Sequence, residues 1–300
     1  MDEAEHDLQS ISDTALWVAV YRARETERRD ALFRDHLARR LAGVRGERIA
    51  QSLTPGRRED WPFVARTHLF DQFIAAELKA GADMIVNLAA GLDARPYRME
   101  LPASLRWVEV DLPSVLDYKE TVLRSERPRC QVERIRLDLA AREQRRELFA
   151  QLAEGVRRAV VVSEGLLVYM EQEQVATLAE DLAVPATFSR WILDIASPGL
   201  LWMLQERWSQ QLGRAAAPLQ FAPEQGPEFF VPYGWRPIRV ESMLKTAARL
   251  KRVSWFMRLL ALLPESTGKQ GNRPWSGVCR MARAGSAQTP HTSGSPVARD

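Results

Sequence analysis

Cysteine and histidine are scarce in this chain of 300 residues: two of the first, Cys130 and Cys279, and four of the second. The cysteines lie far apart and form no CxxC or Cys/His cluster, so neither a disulfide framework nor a zinc site is indicated, and no metal is expected. No sign of charge dominates either. The 42 basic and 39 acidic residues leave a net charge of +3, and the basic residues are scattered rather than gathered into the patch a nucleic-acid binder needs. No apolar run approaches the length of a bilayer span, and the opening "MDEAEHDLQS" is acidic without an apolar leader core. A soluble, cytoplasmic protein without stable membrane insertion is expected.

A glycine-rich phosphate cradle is missing too. The turn "NLAAGLDAR" offers Gly91 alone, and Asp93 brings negative charge to the start of the helix that follows. Phosphate groups bind where bare backbone amides converge, so this turn would repel a dinucleotide.

What is present is 46% hydrophobic residues, enough for one large core or a main domain with an appendage. Residues 12–80 read as helical. A first helix runs through "TALWVAVYRARETERRDALFRDHLARRLAG" and ends at Gly43 and Gly46; a second has Asp60 as its N-cap, Pro62 in its first turn and Gly81 at its end. From Met84 short apolar strands alternate with helices: "MIVNLA", "LRWVEVDLP", "CQVERIRLDLA", "RAVVVSEGLLVYM" and "SRWILDIASP" are the strands. That alternation predicts an α/β fold, a Rossmann-like, doubly wound, mostly parallel sheet. After Pro198 come an aromatic-rich helix, a looped stretch "APEQGPEFFVPYGWRP", a basic amphipathic helix over Met243–Leu263 and a last strand in "PWSGVCRMARAG". The expected division is an N-terminal helical cap at 1–80, a cofactor-binding core at 81–198, a lid insertion with final strands at 199–283, and a disordered tail at 284–300.

The acids carry the functional reading. Asp93 follows the first strand, Asp111 ends the second, Asp138 the third and Glu164 the fourth, so four carboxylates would face one crevice at the strand ends. Any one of them alone reads as readily as a helix cap or a solvated turn residue. Asp111, twenty residues beyond Gly91, has the spacing of an acid that accepts from ribose hydroxyls. Asp138 suits an adenine amino group, with Leu139 covering the ring. A nucleoside with a cationic group and no phosphate fits this set, and S-adenosylmethionine meets that description. Its carboxylate calls for a cation, for which Arg22 and Arg66 are the candidates; Arg22 also reads as an ordinary charged helix face, and Arg66 as a snorkelling side chain.

The segments "NLAAGLDARPYRM", "WVEVDLPSVLDYK", "RLDLA" and "SEGLLVYM", preceded by "RARETERRDALFRDHLA" and "ARTHLFD", resemble the leucine carboxyl methyltransferase-like family of class I S-adenosylmethionine-dependent methyltransferases. The nearer resemblance is to its bacterial small-molecule branch, which includes polyketide O-methyltransferases. It runs from about Ala15 to about Asp194. The resemblance implies that Asp111 binds the ribose, Asp138 and Leu139 the adenine, Arg66 the carboxylate, and that Glu164 lies by the methionyl group. It also implies a small-molecule acceptor methylated on a carboxylate or hydroxyl, chosen by the cap and lid. Two residues depart from the pattern: Ala89 stands where glycine is usual, and His36 where proline is usual. Alanine at 89 is expected to take ordinary strand-end dihedrals, with its methyl near the cofactor.

Other readings stand beside this one: a nicotinamide oxidoreductase on a similar sheet, or a relative that binds the cofactor with little catalysis. A hydroxyl acceptor would need a base, and neither His36 nor His68 has the context of one. Tyr169 falls just past the fourth strand as a pocket wall. Trp202, Trp208, Tyr233 and Trp235 are candidates for lining an apolar acceptor pocket.

Overall fold

The computed structural model describes residues 11–53, 60–214, 218–265 and 272–285, the side chains of 11, 12, 53 and 208–214 excepted. Its centre is a seven-stranded sheet of order β3-β2-β1-β4-β5-β7-β6. The strands are β1 (Met84–Leu88), β2 (Arg106–Asp111), β3 (Gln131–Arg136), β4 (Ala159–Ser163), β5 (Phe188–Ala196), β6 (Trp235–Ser242) and β7 (Ser276–Arg283). β1 to β5 pair in parallel, and β7 runs antiparallel between β5 and β6. β1 and β4 are entirely buried runs, as interior parallel strands require, whereas β3 alternates exposed and half-buried residues at the sheet edge.

The period of two splits each strand between two cores. Val86, Val108, Val161 and Trp191 pack under α6 (Arg142–Ala153) and α7 (Gln172–Ala183). Ile85, Trp107, Val160 and Ile192 face α3 (Trp61–Lys79), whose Ala65, Leu69, Phe70, Phe73 and Ile74 fill that layer. A third cluster joins Trp17, Val20 and Tyr21 of α1 (Ile11–Thr26) and Leu41 and Ile49 of α2 (Ala38–Leu53) to Leu92, Ala94, Val168 and Tyr169. The first two helices therefore roof the carboxyl ends of the strands. Within the sheet, Glu109 of β2 is fully buried and accepts from Lys119 Nζ at 2.8 Å and Arg134 Nε at 2.9 Å.

The expected strands β1 to β5 and β7 are present. Three local readings need correction. Gly43 and Gly46 do not end the first helix: it stops at Thr26, and both glycines lie inside α2, which kinks at Gly43 (φ 60°). Asp60 precedes α3 but makes no side-chain cap bond. The stretch read as one helix over Met243–Leu263 is two, α9 (Met243–Arg249) and α10 (Trp255–Leu260), and the strand before them, β6, was hidden by Pro237. Proline is tolerated there because β6 is an edge strand with a register shift between Pro237 and Arg239. The expected tail from 286 onward lies outside the described residues.

Candidate active site

Strand order reverses between β1 and β4, and the crevice beyond their carboxyl ends is where such sheets bind ligands. A cavity of about 270 Å³ occupies it. Arg66, Ala89, Gly91, Asp111, Asp138, Leu139 and Glu164 all line this cavity, together with Arg22, Asp93 and Tyr169. They come from α3, the turn after β1, the ends of β2, β3 and β4, and, for Arg22, the roof helix α1.

Asp111 organises the turn. One carboxylate oxygen accepts from the Gly91 amide at 2.6 Å and the other from the Leu112 amide at 2.7 Å, which ties β2 to the loop leaving β1. Each oxygen keeps lone-pair capacity on the cavity side. Burial raises the pKa of Asp111, against the opposing pull of those two amides. If Asp111 accepts from a ribose, as the resemblance implies, it must be ionised to do so, and cofactor affinity should then be full at neutral pH and fall as pH drops through this raised value. That loss comes above the roughly 3.9 of a free aspartate. Calorimetry across that range should show the step in the native protein and not in Asp111→Asn.

Ala89 does not adopt strand-end dihedrals. Its φ is +49°, in the left-handed region that disfavours a Cβ, the same sign as Gly91 two residues on. Ala89→Gly should stabilise the fold by about 0.5–1 kcal/mol, the relieved strain less the entropy glycine adds to the unfolded chain. Chemical denaturation checks it; an unchanged midpoint would mean the strain at Ala89 no more than offsets the entropy that glycine adds.

Opposite Asp111 lies a chain of alternating charges. Arg66 Nε is 3.2 Å from Glu164 and its Nη1 3.3 Å from Asp194 of β5, while the Gly165 amide donates to the other Asp194 oxygen at 2.7 Å. Gly165 has φ +68°, and a Cβ there would stand 2.9 Å from Arg66 Nη1, so the guanidinium lies against bare backbone. Glu164 is held from behind by Arg95 Nη2 at 2.8 Å, while the other two guanidinium nitrogens reach Asp71 at 2.6 Å and Asp93 at 2.8 Å. Asn87 Nδ2 donates to Asp93 at 2.9 Å. Burial opposes charge on Asp93, yet Arg95, Lys119 and Arg98 outweigh it and hold its carboxyl well below the usual range. At Asp194 burial prevails over Arg66 and raises the pKa.

Asn87, Arg95, Gly165 and Asp194 were not singled out from the sequence. Asn87 and Asp194 carried a signal, a polar residue interrupting the apolar strands "MIVNL" and "WILDIA". Arg95 had only its place two residues after Asp93.

The sequence profile of leucine carboxyl methyltransferases matches residues 15–183. The chain belongs to this family. A provisionally named S-adenosyl-L-methionine-dependent methyltransferase of Streptomyces avermitilis is 33% identical over 232 residues, covering 74% of this chain and 80% of the relative. One from Mycobacteroides abscessus is 33% identical over 189 residues, 58% of this chain and 62% of that relative, a little under two thirds of its length. The crystal structure of a DUF574 family protein from Streptomyces avermitilis shares the fold, with a TM-score of 0.54 at 12% identity, covering 79% of this chain and 90% of that one. The protein is an S-adenosylmethionine-dependent methyltransferase on a class I fold, and the nicotinamide oxidoreductase is set aside.

The donor set of this methyltransferase suits its cofactor: a buried carboxylate at the end of β2, and a cation beside a carboxylate at the end of β4. Both cation candidates line the cavity and both already have partners, Arg22 with Asp35 at 2.9 Å and the Leu92 carbonyl, Arg66 with Glu164 and Asp194. His36 is exposed and His68 half-buried on α3, and neither lines the cavity. The expected aromatic wall is corrected. Trp235 is a core residue donating to the Ala179 carbonyl, Tyr233 packs on the same core, and Trp202 is 66% exposed. The side chain of Trp208 lies outside the described set. Trp17, Phe63 and Tyr169 form the aromatic wall instead.

Among the described residues no helix is long and apolar enough to cross a membrane, and no cluster of His, Cys, Asp or Glu is placed to hold a metal ion.

Proposed function

We propose that this methyltransferase transfers its methyl group to an oxygen of a small, largely apolar acceptor, and that the oxygen belongs to a carboxylate. The observation that carries this reading is the cavity wall. Trp17, Val18, Phe63, Leu166 and Val168 make it apolar, and neither histidine nor lysine is among its described lining residues. A carboxylate is ionised at neutral pH and attacks without a base, whereas a hydroxyl needs one. The acids lining the cavity are already engaged: Asp93 by Asn87 and Arg95, Asp111 by the Gly91 and Leu112 amides, Asp138 by the Ala140 amide, and Glu164 by Arg66 and Arg95. Tyr169 is a poor substitute, because burial raises its pKa and it keeps its proton. The family's name, from methylation of a leucine carboxyl group, supports the same chemistry.

S-adenosylmethionine, when bound, supplies a methyl group on a cationic sulfur. In this reading Asp111 accepts from its ribose, Asp138 and Leu139 meet the adenine, Arg66 pairs with its carboxylate and Glu164 lies by the methionyl group. Trp17 and Phe63 exclude water and hold the acceptor, so positioning supplies most of the acceleration.

Incubation with methyl-labelled cofactor and a panel of small apolar carboxylic acids and phenols tests the proposal. The expected product is a methyl ester, cleaved by mild alkali. Alkali-stable ethers alone would overturn the carboxylate assignment. Cofactor binding by calorimetry without turnover of any acceptor would favour a binding relative with little catalysis.

A further inference from the structure

α10 buries none of its residues. Trp255, Phe256 and Leu259 within it are 73%, 55% and 54% exposed, and Leu262 and Leu263 just beyond are 80% and 59% exposed. With Leu260, six large apolar side chains face water within nine residues, a concentration that marks an interaction surface rather than scattered surface hydrophobics. Ser254 caps the helix by accepting from the Met257 amide, so the segment is a formed element.

The charges around it are mostly basic, and the acids among them are paired. Arg258 lies in the helix, and Arg249 and Lys251 precede it, all exposed. Arg252 then pairs with Glu25 and Asp30, which brings the segment containing the exposed Arg28, Arg29 and Arg34 alongside. The exposed acids there are already paired: Asp30 with Arg28 and Arg252, and Glu27 with Arg39. Glu265 is taken by Ser242 and Lys245.

We propose that this face docks on an anionic phospholipid surface, with Trp255, Phe256, Leu259, Leu262 and Leu263 entering the boundary between headgroups and acyl chains. Arg249, Lys251, Arg258 and the arginines of residues 28–34 meet the phosphates. Apolar and aromatic side chains on a short helix with a basic collar are the chemistry that binds such an interface. A second copy is a poorer occupant. A two-fold contact sets the patch against itself, and the collar would face its own like charges with no unpaired acid among the described residues beside it to receive them. The surface is separate from the cofactor cavity, and docking there would present the enzyme to acceptors dissolved in or near the bilayer.

The test is co-sedimentation of the full chain with vesicles of phosphatidylcholine alone and of phosphatidylcholine mixed with phosphatidylglycerol. At least about fivefold more protein should sediment with the anionic vesicles. The difference should shrink as salt is raised. The double variant Phe256→Glu, Leu259→Glu should abolish sedimentation while leaving cofactor affinity unchanged by calorimetry, since both side chains are exposed and outside the cavity. No excess on the anionic vesicles, or equal sedimentation of the double variant, overturns the proposal. So does a lipid-free dimer in size-exclusion chromatography with light scattering that the double variant converts to monomer, which would make the occupant a second copy.

Discussion

Replacing Arg95 with alanine should lower the stability of the methyltransferase by about 3–5 kcal/mol, the range for removing one partner from a buried ionic cluster. The Arg95 side chain is 3% exposed and contacts three carboxylates, Asp71, Asp93 and Glu164. Asp71 would retain Arg98, and Glu164 would retain Arg66. Asp93 would keep hydrogen bonds only from the Asn87 amide and the backbone amide of residue 95, with Lys119 and Arg98 acting through charge without a direct bond, less than a buried carboxylate requires. Total stabilities of about 5–15 kcal/mol make this a large fraction of the whole. Urea unfolding measures it. Arg95→Lys should recover only part, because one ammonium cannot bridge three acids set around a planar fork. A loss under about 1 kcal/mol in the alanine variant would show that the cluster contributes little.

Asp111→Ala should weaken S-adenosylmethionine binding at least tenfold, the order lost with charge-assisted hydrogen bonds to a diol. The carboxylate is buried at the cavity edge, and its removal also strands the Gly91 and Leu112 amides, at about 1–3 kcal/mol for each one left unsatisfied. The turn that must approach the cofactor would then lose its anchor. Calorimetry gives the affinity and denaturation the stability. Unchanged affinity in a folded variant would remove the ribose assignment, whereas lost stability with intact affinity would leave Asp111 as a turn anchor alone.

Much of this cavity was legible because parallel strands place their last residues at one edge, so acids ending "WVEVD", "RIRLD" and "VVVSE" had to converge once the βα rhythm was read. The partnership of Arg66 with Asp194 was not legible, since 128 positions separate them and only the packing of α3 on the sheet brings them together. Nor was the left-handed turn at Ala89. Alanine gives no local sign of positive φ, and the conformation is imposed by the bonds from Ala90 to Val110 and from Gly91 to Asp111. The aromatic wall was misassigned for a related reason. Tryptophans in the lid looked available, but Trp235 fits the core beside Trp191, and the roof helix supplied Trp17 instead.

The insertion of β7 between β5 and β6 sets an order of events during synthesis. Until the residues of β7 have left the ribosome, β5 is an unprotected sheet edge and β6 has no strand to join. Asp194, which holds Arg66 and the turn at Gly165, lies on β5 directly opposite Val278. The clamp at the carboxyl end of β4 is therefore completed last, by the strand that pairs with the backbone of Asp194.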